Sequence, residues 1–207
     1  MYRLYYLFFQ FRHLLQIYNL SGVRDSLDKP TDYWKTNVIG TQRLLENYRD
    51  TRVIYASSST AHEPWKNPYA MSKYSMEQLD HNNSVGLRFT TIYGPGARVN
   101  MLIPKILRND IQYININHIR DFIHVNDIVS AVDIMMNNTF RGVIDVGTGI
   151  SNKLVDIVDY FKIDYKSVIG GETERIDNTA DTSILNKFGW RAKINLYDYI
   201  EQNKVVN

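Results

Sequence analysis

Apolar positions in this chain fall into two alternating kinds of run. Short continuous runs at 53–57, 85–93 and 143–146 have the length and β-branched content of strands buried on both faces. Between them, apolar residues recur at helical spacing. Residues 26–49 read as a helix with Pro30 in its first turn and Tyr33, Val38, Thr41, Leu44 and Leu45 along one side. Residues 69–81, behind Asn67-Pro68, read as the next helix. Helices also follow at 101–108 and 127–136, with a short strand at 122–125 between them. Ser151 is expected to cap a helix running to about Phe161, and two short helical pieces are expected at 182–187 and 196–202. The aromatic, apolar start of the chain reads as a strand or helix packed on the sheet.

Strands that alternate with helices argue for an α/β fold: a parallel sheet flanked by helices. The strand signals weaken after Ser151. The expected division is therefore a sheet domain at 1–95 and 121–149, with a small lobe at 96–120 and 150–207.

Composition narrows the classes without choosing one. The chain has 207 residues, enough for one domain with a small lobe. Its 24 basic and 22 acidic residues leave a net charge of +2, and no Lys/Arg cluster suggests nucleic acid as a partner. The longest uncharged run near the start, Leu4 to Phe11, is too short to span a membrane. With no cysteine in the chain, disulfides and thiolate chemistry are excluded. A reducing, cytoplasmic setting fits that composition. The histidines show no metal-ligand spacing, and no metal is expected.

The chemistry concentrates at Ser57-Ser58-Ser59 and at Tyr69-Ala70-Met71-Ser72-Lys73. The serines follow a buried strand, where open α/β sheets hold their ligands. Tyr69 and Lys73 stand four residues apart, on one face of a helix. A nearby ammonium and a hydroxyl donor favour the phenolate of a Tyr, which can then exchange a proton with an alcohol. An absence stands against this equipment. The first glycine is Gly22, and no glycines are spaced G-x-G-x-x-G or G-x-x-G-x-x-G. That is the turn which usually seats a dinucleotide pyrophosphate at a helix N-terminus.

Seven segments in order resemble the extended short-chain dehydrogenase/reductase superfamily, the NAD-dependent nucleotide-sugar epimerases and dehydratases. Residues 19–26 resemble its HLAA-x-AGVR-x-S stretch, and Thr36-Asn37-Val38-Ile39-Gly40-Thr41 its TN-x-x-GT helix. Gly86 to Pro95 is similar to LR-x-x-x-x-YGP, and Arg120 to Asp127 to RDFIHV-x-D. Val146 to Gly149, Ala180-Asp181-Thr182-Ser183 and Gly189-Trp190 resemble later signatures.

The resemblance implies an incomplete Rossmann-like sheet with a small C-terminal substrate lobe. It implies Ser59, Tyr69 and Lys73 as catalytic residues, with Tyr69 the base, Ser59 on the same substrate oxygen, and Lys73 depressing the Tyr pKa. Asn37, Ser57, Tyr69, Lys73, Tyr93, Gly94 and Pro95 would face NAD, while Arg98 and Arg120 would face a nucleotide-sugar substrate. A homodimer through the two helices at 26–49 and 69–81 is implied as well. His124 is expected to be structural. Thr60-Ala61 stand where the 4,6-dehydratases carry their acids, which leaves 4-epimerisation of a UDP-sugar as the implied reaction. Without the Gly-rich turn, NAD binding by this chain alone is expected to be weak, with little turnover. The alternatives are a degenerate, non-catalytic member, or one part of a truncated or split enzyme.

Overall fold

The computed structural model describes residues 6–9, 13–16, 23–79 and 83–204. Positions 19–22 of the resemblance, His81 and the side chain of His13 lie outside the described residues. Five strands form the main sheet in chain order: β1 (Tyr6–Phe9), β2 (His13–Gln16), β3 (Arg52–Ser58), β4 (Ser84–Phe89) and β5 (Gly142–Val146). From β2 to β5 the pairs are parallel, as the continuous apolar runs imply, while β1 pairs antiparallel with β2 along one edge.

Alternate residues divide the two faces of the sheet. Ile54, Val85, Leu87, Ile144 and Val146 join Ile128, Ala131 and Met135 of the Val125–Met136 helix in one buried core. Truncating a fully buried member such as Leu87 to Ala costs about 2–5 kcal/mol. The register sets Ser57 beside Arg88 and Arg88 beside Asp145, so alternation makes this a polar row on the other face. The Pro68–Glu77 helix meets that row through Glu77.

A second apolar cluster gathers Tyr93, Ile103, Ile106, Ile114, Phe122, Ile157, Val158, Leu196 and Ile200. It is built from segments on both sides of β5. Two-stranded pairings support it: Thr91–Tyr93 with Phe122–His124, and Tyr113–Asn115 with Lys166–Val168.

Three elements differ from expectation. The helix expected at 26–49 breaks at Lys29, whose φ −131° and ψ 52° lie outside the α region that the following Pro30 disfavours. It therefore begins as Val23–Asp28 and resumes over 30–47, with a π-helical stretch at Trp34–Ile39. The strand expected at 85–93 divides at Thr90: β4 stays in the main sheet and Thr91–Tyr93 joins Phe122–His124. Ser151 does not cap a helix. Its hydroxyl bonds Thr179, and the helix starts at Leu154.

Candidate active site

The Pro68–Glu77 helix carries the site and is fixed at its start. Asn67 Oδ1 accepts the Ala70 N–H at 2.8 Å, and Pro68 occupies the first turn, where its missing N–H costs nothing. Asn67 also donates through Nδ2 to the Thr173 carbonyl at 2.8 Å, tying this helix start to the C-terminal segment.

Tyr69 and Lys73 are both buried on this helix. The Tyr69 ring packs edge-on against Tyr33, with centroids 5.8 Å apart. The Lys73 ammonium lies 5.8 Å from the Tyr69 ring centroid and donates to the Ala56 carbonyl at 2.8 Å. Burial pushes the Lys73 ammonium down to about 8, while the charge of Glu77 opposes that fall. Tyr69 is not held at a depressed value here. Burial pushes its phenol up and the neighbouring Tyr33 adds to the rise, while a hydrogen bond with Ser58 and the charge of Arg98 work the other way.

The three serines diverge. Ser57 donates to Glu77, Ser58 meets Tyr69, and the Ser59 carbonyl accepts from Arg175 Nη1 at 2.6 Å. Ser58, rather than Ser59, is thus the serine beside Tyr69. Strand geometry gives the reason: β3 ends at Ser58, and Ser59–His62 turns away as a 3-10 helix capped by the Ser58 hydroxyl. Asn37, fully buried in the π-helical stretch, donates to Ser72 Oγ at 2.9 Å, and its Oδ1 has no partner.

The remaining expected residues are spread more widely. Tyr93 packs edge-on against His124 and Tyr199, and its hydroxyl donates to the Ile194 carbonyl at 3.2 Å. These are the contacts of a core residue. Gly94 turns the chain at φ +128°, where a Cβ would lie 2.9 Å from His124 Nε2. Pro95 continues that turn. Arg98 stands in the loop beyond, and its charge bears on Tyr69.

Arg120 is engaged by the protein itself. It donates to the Ile119 and Ile176 carbonyls at 2.8 Å and lies 3.0 Å from His118 Nδ1 and 3.5 Å from Glu174. The adjacent Asp121 does not pair with it. Asp121 accepts from Thr148, Gly149 and Ala180 instead. His124 is structural, as expected: its Nδ1 accepts the Asn126 N–H at the start of the Val125–Met136 helix.

Sequence reasoning missed two groups. One is the 172–175 segment, held against the site by Lys66 on the Glu172 and Glu174 carbonyls, by Asn67 on Thr173 and by Arg175 on Ser59. Arg175 also lies 3.5 Å from Glu63. No local pattern brings 63–67 to 172–175, so only the fold reveals it. The other is the set Glu77, Arg88, Asp145 and His62, buried at the Glu77 and Asp145 side chains and partly open to solvent at His62. Its signal was present in part, because Glu77 follows Lys73 by four residues on the same helix. No group of three or more His, Cys, Asp or Glu among the described residues could hold a metal ion.

A Tyr–Lys pair at the C-terminal end of a parallel strand, with a Ser hydroxyl on the Tyr, is proton-transfer equipment for a carbinol carbon. Residues 7–147 match the NAD dependent epimerase/dehydratase family. The chain belongs to that family. It is 34% identical over 143 residues to Protein CapI of Staphylococcus aureus, covering 54% of this chain and 42% of CapI. It thus spans less than half the length of that relative. It is 26% identical to the UDP-glucose 4-epimerase of Yersinia enterocolitica, over 88% of this chain and 71% of that protein. Among solved structures it resembles TunA, an NAD dependent NDP-hexosamine 5,6-dehydratase involved in tunicamycin biosynthesis. The TM-score is 0.81 at 21% identity, over 94% of this chain and 76% of that one. That likeness establishes the Rossmann-like fold.

The residues fit the family's dinucleotide at one end only. Asn37 Oδ1 is buried without a partner, and two of the three Lys73 donors have no bond beyond that to Ala56. Both suit the nicotinamide-ribose end. For the phosphates, no Gly-rich turn at a helix N-terminus exists among the described residues.

Proposed function

We propose that this chain carries the proton-transfer and sugar-facing parts of an NAD-dependent nucleotide-sugar 4-epimerase acting on a UDP-sugar. The observation that carries the reading is the Tyr69–Ser58–Lys73 arrangement at the end of β3. Tyr69 is the group that takes the proton of the C4 hydroxyl and returns it. Ser58 orients the phenol, and Ser59 keeps the part the resemblance implies, a hydrogen bond to the substrate oxygen. Lys73 supplies the positive charge that favours the phenolate during transfer. NAD would supply the hydride acceptor and donor for C4 of the sugar. Asn37, Lys73 and Ser57 are the residues suited to its nicotinamide end. Tyr93 contributes through packing, and Gly94-Pro95 through the backbone turn.

Arg98 and Arg120 are our candidates for the nucleotide diphosphate, since guanidinium suits phosphate oxygens. Arg175 joins them as a third cation beside the Ser59 carbonyl. For the division into a Rossmann-like domain (1–95 and 121–149) and a substrate lobe (96–120 and 150–207), the second apolar cluster supports a separate lobe, which Tyr93 and Phe122 join, while Leu185 and Trp190 pack into the first core. No helix among the described residues is long and apolar enough to cross a membrane. A cytoplasmic setting rests on the cysteine-free composition.

A thermal-shift series with UDP, UDP-glucose, UDP-galactose and UDP-glucuronate tests the substrate reading. Ligands that bind the native state raise the midpoint with the logarithm of their excess. A rise with UDP-sugars, and none with adenosine or free glucose, is expected. No rise with any of them contradicts the reading.

A second reading has its own observation. No glycines in the sequence are spaced as a dinucleotide-binding turn, and Arg120 already lies against Glu174. Both favour a member that binds nucleotide sugars without turning them over. UDP-sugar binding with no turnover at any NAD concentration is its signature.

A further inference from the structure

We propose that Glu77 is a positioning residue for the Tyr69–Lys73 pair, held in that role by Arg88, Asp145 and His62. The inference rests on the reading of Tyr69 and Lys73 as proton-transfer groups. It concerns four residues that the site chemistry does not otherwise use.

The geometry is closed. Glu77 has a fully buried side chain one helical turn after Lys73. Arg88 grips both of its oxygens, Nε on Oε1 at 2.9 Å and Nη2 on Oε2 at 2.7 Å, the bidentate geometry that fixes a carboxylate in orientation. Ser57 donates to the same Oε1. Beyond Arg88 stands Asp145, 3.7 Å from Nη1, and Asp145 accepts from His62 Nε2 at 2.8 Å. Ser57, Arg88 and Asp145 are cross-strand neighbours on β3, β4 and β5, so the sheet register holds the row in place.

Charge balance gives the row its purpose. Lys73 and Arg88 are buried or half-buried cations, and Glu77 and Asp145 are the carboxylates facing them. A buried ammonium with one carbonyl acceptor needs an anion nearby. Glu77, one turn along the same helix, is the carboxylate whose charge bears on Lys73, with no direct ion pair between them among the described residues. It is shared with Arg88, and Asp145 supplies Arg88 with a second carboxylate. Burial opposes the Asp145 charge, but His62, the Asp181 N–H and Arg88 together hold the carboxyl below its usual range.

The other groups facing the row are Tyr55, Tyr69 and Ala56. Burial and the charge of Glu77 push the Tyr55 phenol up. Tyr69 offers its ring to Lys73, and Ala56 offers a carbonyl. None of these supplies a negative charge in place of Glu77. His62, partly exposed, is the row's contact with solvent.

The test follows Lys73 directly. Protein labelled with 13C at lysine Cε is titrated by NMR, with the Lys73 signal assigned through Lys73→Arg. Wild type should titrate near about 8. Glu77→Gln should lower that midpoint by about one pH unit or more, as loss of a neighbouring opposite charge requires. Glu77→Asp, which withdraws the charge by one methylene, and Asp145→Asn, which leaves Glu77 in place, should lower it by smaller steps. A folded Glu77→Gln protein with an unchanged Lys73 midpoint overturns the proposal. Should Glu77→Gln fail to fold, an unchanged midpoint in both other variants overturns it equally. The readout needs no turnover. Shifted midpoints without epimerase activity would refute the epimerase reading and leave the positioning role standing. Activity with unmoved midpoints would do the reverse.

Discussion

At the scale of single residues, Lys73 is kept at a cost to stability. Its ammonium is buried, and burial holds its folded value at about 8 against 10.5 in an unconstrained lysine. Below about pH 8 both folded and unfolded chains carry the charge, and the folded one bears the desolvation penalty in full. Between about 8 and 10.5 only the unfolded chain holds the proton, so this contribution to stability rises with pH across that window. Lys73→Met should therefore stabilise the chain at pH 7, by up to roughly 3 kcal/mol from the size of the shift. The gain should shrink as pH rises through 8 toward 10. Urea unfolding at several pH values measures both, and a loss of stability at pH 7 would contradict the burial argument. Gly94 makes the opposite case. At φ +128°, with His124 close to any added Cβ, Gly94→Ala should destabilise by more than about 1 kcal/mol. An unchanged urea midpoint would show that the turn relaxes without strain.

At the scale of elements, the Pro68–Glu77 helix depends on its cap. Asn67 serves the Ala70 N–H and the Thr173 carbonyl at once. Asn67→Ala should cost about 1 kcal/mol for the cap, with a further loss from the freed Thr173 carbonyl. Asn67→Asp, which keeps the cap oxygen but not the donor, should recover only the first part in the same unfolding assay.

The outer sides of this helix and of 30–47 leave Trp34, Met71 and Tyr74 exposed, with Leu27 and Trp65 nearby. A groove of about 600 Å³ runs between Leu27, Trp34, Trp65 and Met71. A contiguous apolar face of this kind marks an association surface, and a twofold pair of the two helices would cover it. Sedimentation should find a dimer that Met71→Glu converts to monomer. A monomer at all concentrations would remove the homodimer expected from the family resemblance.

The elements also show what could be read in advance. Parallel strands and the Tyr–Lys helix were legible because apolar runs and a four-residue spacing are local signals. The break at Lys29 was signalled by Pro30, but helical spacing across it masked the signal. The division of β4 from Thr91–Tyr93 was not legible, since both halves are equally apolar and only their partners differ. The latch between 63–67 and 172–175 and the Ser57–Arg88–Asp145 row depend on tertiary contacts and register, which no short window contains. That Ser58 is the serine beside Tyr69 turned on where a strand ends, by one residue.

For the whole molecule, the Tyr69–Lys73 pair is assembled while the phosphate end of a dinucleotide site has no counterpart among the described residues. Orientation of reactants is worth about 7–11 kcal/mol only when both are held. The chain should therefore turn over slowly and show a steep demand for NAD. The measurement that bears most directly on this account is 1H NMR of UDP-galactose and UDP-glucose interconversion. It is run with purified chain across rising NAD, with Tyr69→Phe in parallel. Slow turnover that climbs with NAD and vanishes in Tyr69→Phe is expected. Turnover that survives Tyr69→Phe, or none at any NAD concentration with UDP-sugar bound, would contradict the account.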